Sequence, residues 1–480
     1  MKRRLAPGRS GFARHSEDPN KAYWLENMVI TEDGYYRPRY GLKHCKTMAA
    51  GEINHLSRPG GYNARIMLIG ESGNLYNLHV ETGVATLVAT GWPTGPVAAS
   101  VGNVPGAATR WLACKGTISG ASGPVYHYDL TTLTELVSTA PSDGNFLGMM
   151  MGAAFRVISG DGTQQALQWS KVNDVTTWDT LYQHPPPCGL RSVDTVWPFG
   201  PREGILLGPN GVVRVTGVLP RNIAFESLAE MEIATPMFHP IRARDRLFFA
   251  GAGPKLYQLT QGGGAPVPIE PPLFRDLFLA AGTSKLRGWY DGVLDEAVIW
   301  DRTQKLGYRY SLRQNAFVGV LTFGDPTKQM LGCAVIDQGA STVDEATQPW
   351  AKAFFAVDNL VLQSDPSVAT DATSSSTTSA FTCKVESQPM RGVDPAYERQ
   401  LNSLQIHAVG SWTPYFKYRQ GPDDAWTTVT AGAPISCPGR WHVPLSSVKY
   451  RELVVGVSAS SSSTLRFHSF ELDELIVGLP

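Results

Sequence analysis

The 480-residue chain is predicted to be an all-β protein, a β-propeller of six or seven blades with a β-sandwich-like platform domain built from its two termini. Turn-forming residues are abundant, because Gly and Pro make up 82 of the 480 residues, about 17% where about 12% is usual. Helical periodicity is nearly absent, and short apolar runs alternate with Gly, Pro, Asn and Asp. These features favour short strands joined by tight turns.

The strands follow a repeat, in which an apolar or aromatic pair returns about every 42 to 52 residues, close to the length of one four-stranded propeller blade. The pairs are Leu75-Tyr76, Val125-Tyr126, Leu167 with Trp169, Val212-Val213, Leu256-Tyr257, Leu306 with Tyr308, and Leu360-Val361. One small twisted sheet cannot bury both of its faces, so we expect these units to stack in a ring. Because the last two segments are irregular, six and seven blades fit equally.

The repeat also suggests the domain boundaries. The expected parts are an N-terminal arm at 1–50 that joins the platform, a propeller at 51–365, a Ser/Thr-rich linker at 366–384, and a C-terminal β-sandwich-like domain of about seven short strands at 385–480. The arm contains a strand pair joined by the Asp33-Gly34 turn. The run Leu273–Ala281 is the best candidate for a short amphipathic helix.

Charge is balanced, with 42 basic and 42 acidic residues, so the total gives no footprint for nucleic-acid binding. Candidate basic residues are concentrated at the N-terminus and are Lys2, Arg3, Arg4, Arg9 and Arg14. The N-terminus lacks the apolar stretch of a secretory signal. No run of 18 apolar residues occurs, so no stable membrane insertion is expected.

The six cysteines are far apart in sequence, without the close spacing of a zinc site or a redox dithiol. We expect most of them to be reduced and buried. Nucleophile elbows, HExxH motifs, phosphate-binding loops and dinucleotide fingerprints are also missing from the sequence. The sequence therefore predicts a protein that is not an enzyme, with no catalytic, cofactor-binding or metal-binding residues and no cofactor.

The alternative of a glycosidase or carbohydrate-binding propeller stays open. Such a protein needs acids and aromatics near its axis, and the chain contains candidates of both kinds. The candidate acids are Asp161, Asp174, Asp179, Asp245, Asp291, Asp295 and Asp301, although Asp is also the usual turn residue. The candidate sugar-stacking aromatics are Trp169, Trp197, Trp289 and Trp300. His79 and His127 stand singly and are interpreted as strand residues.

The stretch Ala166–Leu181 contains Trp169 and Trp178 on either side of an Asn173-Asp174 turn. Since this stretch falls on the blade repeat, we expect both tryptophans to pack between blades. If Trp178 is buried, truncating it to Ala should cost about 3 to 5 kcal/mol of stability.

Four segments carry a family resemblance, and they occur in the family's order. They are NMVITEDGYYRPRYGLK (27–43), LQWSKVNDVTTWDT (167–180), YFKYRQGPDDAWTTV (415–429) and FELDELIVGLP (470–480). They resemble the tail nozzle proteins of short-tailed phages (podoviruses), also called tail tubular protein B. The chain departs from the expected Arg-Pro-Gly, where it has Arg37-Pro38-Arg39-Tyr40-Gly41.

The resemblance implies a structural virion protein, a homohexameric ring or tube below the portal and adaptor, through which the genome is ejected. Its implied partners are further copies of itself, the tail adaptor (connector) and portal assembly, tail fibres or tailspikes, and viral DNA that passes through the lumen without sequence-specific binding. Its implied location is the virion tail, assembled in the cytoplasm of the host bacterium. Alternatives are another tail component such as a fibre or spike anchor, and a carbohydrate-binding or glycosidase propeller.

Overall fold

The structure is a computed structural model. It describes residues 2–5, 22–31, 33–49, 51–57, 64–93, 97–103, 109–117, 124–135, 144–159, 165–200, 202–233, 240–251, 255–269, 286–337, 351–391, 398–421, 424–430, 434–462 and 464–477. Strands dominate these residues, as predicted for an all-β chain. The helix expected at Leu273–Ala281 lies outside them.

The chain divides into two compact units, described separately below. Unit 1 consists of Met1–His44, Lys305–Lys328 and Ser364–Pro480, and unit 2 of Cys45–Gln304 and Gln329–Gln363. The N-terminal arm and the C-terminal region thus belong to one unit. The segment Lys305–Lys328, expected in the propeller, is grouped with them.

Unit 2 contains the six-bladed β-propeller, and strands are numbered β1 to β41 in chain order. Blades 1 to 5 are four-stranded antiparallel sheets, each with its strands in sequence order. Blade 1 is β6 (Ile53–Ser57), β7 (Arg65–Gly70), β8 (Leu75–His79) and β9 (Val84–Ala89); blade 2 is β10 (Val97–Asn103), β11 (Thr109–Thr117), β12 (Val125–Tyr128) and β13 (Leu133–Glu135); blade 3 is β14 (Gly144–Met150), β15 (Ala153–Ser159), β16 (Gln165–Lys171) and β17 (Asp174–His184); blade 4 is β18 (Thr195–Pro198), β19 (Glu203–Gly208), β20 (Gly211–Val218) and β21 (Asn222–Glu230); blade 5 is β22 (Ile241–Ala243), β23 (Arg246–Ala250), β24 (Leu256–Thr260) and β25 (Val267–Ile269).

Blade 6 is built from both ends of unit 2. Its strands are β30 (Met330–Asp337), β31 (Ala351–Val357), β32 (Leu360–Asp365) and, on the outside, the last residues of β5 (Gly41–Thr47). Just after β5, the Met48 amide donates to the carbonyl of Asn359 at 2.8 Å. A strand from before blade 1 therefore completes the last blade. Between blades 5 and 6, a hairpin of β26 (Leu286–Asp291) and β27 (Glu296–Asp301) places β26 against β22 and β30.

The repeat predicted from sequence coincides with the blades. The apolar pairs of blades 1 to 6 all lie on the third strand of their sheet, for example Leu75-Tyr76 on β8 and Val212-Val213 on β20. The seventh pair, Leu306 and Tyr308, lies on a strand of unit 1 instead. This difference explains why the sequence left six and seven blades open.

Trp169 and Trp178 pack on opposite sides of blade 3, as expected for inter-blade residues. Trp169 is 4% exposed and belongs to a cluster that includes Leu206 and Val213 of blade 4. Trp178 is only half-buried and packs toward Leu112 of blade 2. The guanidinium of the buried Arg156 lies 4.5 Å from the centre of the Trp178 ring.

Unit 1 is built of sheets to which both termini contribute. Its strands are β1 (Lys2–Leu5), β2 (Ala22–Glu26), β3 (Met28–Ile30), β4 (Tyr36–Pro38), β28 (Leu306–Ser311), β29 (Ala316–Leu321), β33 (Asp371–Ala372), β34 (Thr378–Ser379), β35 (Thr382–Ser387), β36 (Met390–Arg391), β37 (Glu398–Arg419), β38 (Thr427–Thr430), β39 (Ile435–Tyr450), β40 (Glu452–Ser460) and β41 (Arg466–Val477). The expected β3–β4 pair forms, with Met28 opposite Pro38. β1 and β4 pair with β41, and β2 pairs with β35.

The C-terminal region contains longer strands than predicted. Two of the expected short strands, RQLNSLQIHAVG (399–410) and WTPYFKYRQG (412–421), form most of the single 22-residue β37. Its first part pairs with β39 and β41, and its last part pairs with β40 and β38. Gly410, at φ +95°, lies between these parts, where an added Cβ would meet the Leu465 side chain. One strand can therefore serve two sheets, because glycine allows the bend.

The expected linker at 366–384 is an integral part of unit 1. It contributes β33, β34 and the start of β35, and Asp371 and Phe381 in it are 0% and 1% exposed. Its Ser/Thr content suggested a solvated segment, but buried residues between the Ser and Thr, such as Asp371 and Phe381, anchor it in unit 1.

Truncating the two tryptophans of blade 3 should have unequal effects. Trp169→Ala should lower the free energy of unfolding by about 3 to 5 kcal/mol, because it opens a large cavity between blades 3 and 4. Trp178→Ala should cost less than that, because this side chain is only partly buried. Urea unfolding of both variants measures the difference, and equal losses would contradict this packing.

Candidate functional site

The segment with the N-terminal family resemblance builds a buried polar cluster in unit 1, centred on Arg39. The Arg39 guanidinium forms two hydrogen bonds with Asp371, Nη1 to Oδ1 at 2.9 Å and Nη2 to Oδ2 at 2.5 Å. Its remaining N–H groups donate to the carbonyls of Tyr40 and Thr322 and to Oδ1 of Asn27. All five donors of the guanidinium are thus used. The Phe381 ring covers it, with 3.9 Å between the guanidinium carbon and the ring centre.

The two side chains that accept hydrogen bonds from Arg39, those of Asp371 and Asn27, form further hydrogen bonds with other residues. Asp371 also accepts hydrogen bonds from the amides of Leu42 and Gly324, at 3.2 and 2.9 Å. The Asn27 amide group donates to Oγ1 of Thr322 and to the carbonyl of Thr382. A buried ion pair is retained without large cost only where its other polar atoms are satisfied in this way. The cluster therefore joins four distant segments, near residues 27–42, 320–324, 371 and 381–382.

Gly41 explains the spacing of this motif. A Cβ at this position would collide with the backbone of Thr370, and the Gly41 amide donates to Val368 at 2.8 Å. Arg39 and Tyr40, by which the segment departs from the expected Arg-Pro-Gly, supply the central guanidinium and one of its acceptors. The residues that differ from the expected pattern are therefore the ones that join the segments of unit 1.

Among the ionisable side chains of unit 2, one hydrogen-bonded group resembles an active site. It consists of Tyr290, Asp295 and Arg244. The Tyr290 hydroxyl donates to Oδ1 of Asp295 at 2.8 Å and accepts from Nε of Arg244 at 3.1 Å. Burial, together with the hydrogen bond to Asp295, raises the pKa of Tyr290 to about 12. This phenol therefore stays protonated at neutral pH and is a poor nucleophile.

The candidate acids of the sugar-processing alternative mostly serve turns. Asp291 and Asp301 each accept two backbone amides of the turn that follows them. Asp174 accepts hydrogen bonds from Thr176 and Thr177. Burial alone would raise the pKa of Asp174, but these hydrogen bonds outweigh it and lower the pKa.

Asp179 caps the amide of Leu181, and Asp161 lies outside the described residues. The remaining candidate, Asp245, accepts the amide of Gln261 with its backbone carbonyl, and its carboxylate lies 3.9 Å from Nε of Arg246.

The candidate sugar-stacking aromatics are largely inside the protein. Trp169 and Trp289 are 4% exposed and Trp300 is 0% exposed. Trp197 is partly buried and packs against a cluster formed by blades 4 and 5. Three of the four rings are therefore not presented to a ligand.

One cavity of about 500 Å³ lies beside blade 4. Its lining includes Cys188, Asn210 and Glu230. The Asn210 side chain is already engaged, since it donates to the Gly189 carbonyl and accepts from the Arg191 amide. Cys188 is exposed at a 3₁₀ turn, at φ +54°. Sequence reasoning missed this cavity because none of the known site motifs marks it.

Three of the basic N-terminal residues lie on β1, which pairs with β41. The β1–β41 register places Lys2 opposite Asp473 and Arg4 opposite Glu471, with Arg3 opposite Leu472. Arg9 and Arg14 lie outside the described residues.

Among the described residues, no group of three or more His, Cys, Asp or Glu side chains is placed to hold a metal ion. The four cysteines whose side chains are described, Cys45, Cys188, Cys333 and Cys383, carry free thiols. Cys383 is buried as expected, whereas Cys188 is exposed. No described helix is long and apolar enough to span a membrane.

No protein-family model matches the chain, and no curated protein matches it.

Removing one partner of the Arg39 cluster should destabilise unit 1 strongly. Arg39→Met leaves Asp371 charged and buried, so we expect a loss of about 3 to 5 kcal/mol in the free energy of unfolding. The matched control is Arg391→Met, which breaks a pair with Glu452 but removes a side chain that is 70% exposed, and it should cost about 1 kcal/mol or less. Urea unfolding checks both, and a similar small loss for the two variants would refute the central role of Arg39.

The thiols should react in order of exposure. Cys188 is exposed, whereas burial raises the pKa of Cys383 to about 12, so that its reactive thiolate is scarce. Iodoacetamide at mildly alkaline pH should modify Cys188 in the folded protein and Cys383 only after unfolding, as followed by peptide mass spectrometry. Cys188→Ser provides the control, and rapid modification of Cys383 in the folded protein would contradict the structure.

Proposed function

We propose that the protein is a structural component of a short-tailed phage virion, the tail nozzle, which forms a homohexameric ring below the portal and adaptor. The observation that carries the proposal is the joining of the chain ends. The N-terminal and C-terminal segments that resemble the nozzle family come together in unit 1, and the N-terminal one supplies Arg39 and Asn27 to its buried cluster. The resemblance implies that terminal β-units form the ring contacts, and in this chain both termini contribute to one such unit.

The state of the candidate site residues favours a structural role over sugar processing. The described candidate acids cap turns or form pairs, Tyr290 is held protonated, and three of the four candidate tryptophans are buried. A tube subunit needs rigid sheets and no reactive groups. The balanced charge of 42 basic and 42 acidic residues also suits DNA passage, because a strongly basic lumen would retain phosphates.

A second candidate function, an anchor for tail fibres or spikes, is favoured by apolar residues on the fourth strands of the blades. Val84 and Leu87 on β9, Leu181 on β17 and Val267 on β25 are 51% to 71% exposed. Exposed apolar patches mark attachment surfaces, and these residues are the candidates for one. These positions suit a propeller that carries another tail protein, and they are compatible with a nozzle that does the same.

Mass photometry of the purified protein with portal–adaptor particles tests the nozzle proposal. Six copies of 52.1 kDa should add about 310 kDa to each particle, the increment for a closed six-fold ring. Leu181→Gln serves as a matched variant, since it alters the exposed surface of blade 3 and should leave this docking unchanged.

Two results would overturn the proposal. A protein that never joins the particles is not their nozzle. A protein that instead binds fibres, and loses that binding in Leu181→Gln, is the anchor of the second candidate.

A further inference from the structure

Unit 1 presents a charged sheet face whose composition differs from that of the rest of its surface. Strands β2, β35, β40, β37 and β38 lie side by side in that order. Their register places one set of side chains, most of them charged or polar, on a common face, named here the charged face: Trp24, Glu26, Thr382, Lys384, Glu386, Tyr415, Lys417, Arg419, Thr428, Thr430, Glu452 and the buried Val454. Trp426 joins this face beside Arg419. The opposite face of the same strands is apolar and buried, with Leu25, Val385, Val455 and Phe416 at 2% exposure or less.

The charges on this face are layered, with carboxylates inside and cations outside. The side chain of Glu26 is 10% exposed, that of Glu386 5% and that of Glu452 8%. Their partners reach further into solvent: Lys384 at 39%, Lys417 at 26%, Arg419 at 17% and Arg391, on the adjoining β36, at 70%. A molecule that approaches the face therefore meets ammonium and guanidinium groups first.

Hydrogen bonds fix the buried carboxylates in place. Glu386 accepts the Tyr415 hydroxyl and the Lys417 ammonium, both at 2.6 Å. Burial, followed by the charge of Glu386, raises the pKa of Tyr415, so that this hydroxyl remains a donor. Glu26 accepts from the Trp24 indole at 3.0 Å and from the Thr322 hydroxyl at 2.9 Å.

Glu452 is held between Arg419, at 2.5 Å, and Arg391, at 2.7 Å. Arg419 in turn stacks 4.7 Å from the Trp426 ring.

Four cations cover three carboxylates, so the layered charges carry a net charge of one positive. The outer cations can contact phosphates, while the carboxylates beneath them limit the strength of that contact. A weak, salt-sensitive contact follows, without a preference for base sequence.

We propose that the charged face is the surface of unit 1 that contacts the phosphate backbone of duplex DNA. This inference rests on the proposed function and deepens it, since it assigns to named residues the contact with DNA in transit. The sheet offers phosphate-binding side chains of the kinds that predominate in DNA contacts, namely Lys, Arg and Thr.

The composition of the face favours DNA over a second copy of the chain as its occupant. Its most exposed cations are Lys384, at 39%, and Arg391 of the adjoining β36, at 70%, and Thr382, Thr428 and Thr430 on the face are exposed as well. Protein interfaces have apolar cores that are depleted in Lys, and the large exposed apolar residues described above lie on the blades instead. Positively charged polar surfaces are characteristic of nucleic-acid interfaces.

Fluorescence anisotropy with a mixed-sequence DNA duplex, measured between about 50 and 200 mM salt, tests the proposal on the full-length protein. The double variant Lys384→Gln/Arg391→Gln removes the two most exposed cations and should bind several-fold more weakly, with the log–log salt slope reduced by about 2. Glu386→Gln removes a carboxylate beneath Lys417 and should bind several-fold more tightly. Arg244→Gln, an exposed cation of unit 2, is the control and should bind as the wild type does.

The opposite responses of the cation and carboxylate variants identify the face as the contact. Absence of DNA binding at the lowest salt, or unchanged affinity in Lys384→Gln/Arg391→Gln, would overturn the inference. Self-association that disappears in the double variant would assign the face to a second copy instead. Thermal unfolding establishes that each variant is folded, and docking of the same variants to portal–adaptor particles reports separately on the nozzle proposal.

Discussion

The bidentate ion pair between Arg39 and Asp371 is the interaction on which unit 1 depends. Burying two charges is costly unless every remaining donor and acceptor finds a partner. Here the partners come from four segments that are far apart in sequence, so the demand for saturation fixes the positions of all of them. The N-terminal arm, β29, β33 and β35 are thereby brought to one point. The sheets of unit 1 then extend outward from a centre in which no polar atom of Arg39 or Asp371 is left without a partner.

The propeller could be predicted because each blade is specified by a short stretch of sequence. Each blade needs its own turns and its own apolar strands, and these recur in the sequence at nearly constant spacing. The boundaries of unit 1 depend on long-range contacts instead, such as the one between Arg39 and Asp371. The segment 305–328 continues the blade-like pattern of tight hairpins, so the sequence could not separate it from the propeller. The length of β37 was also hidden, because Gly410 interrupts its alternation where the strand bends.

The candidate residues also divide into those whose role depends on neighbouring sequence and those whose role depends on long-range contacts. The turn role of Asp291 and Asp301 followed from sequence, since an aspartate that caps a tight turn acts on its immediate neighbours. The charged face did not, because no stretch of sequence contains it. Glu26, Glu386 and Lys417 come from three strands, and only the sheet register places them on one side. The arrangement of buried carboxylates beneath outer cations could not be predicted either, since sequence does not distinguish a buried glutamate from an exposed one.

The closure of blade 6 by β5 has a consequence for the timing of synthesis. The outer strand of this blade emerges from the ribosome before any other part of the propeller, whereas its neighbour β32 is made about three hundred residues later. Chain growth at about 5 to 20 residues per second separates the two by roughly fifteen seconds to one minute. The propeller cannot be sealed during that interval, and unit 1 also waits for its C-terminal strands. A nascent chain therefore cannot close the propeller until β32 has been made, and it cannot complete unit 1 until the C-terminal strands follow, which keeps partly made subunits out of any assembly that requires either unit.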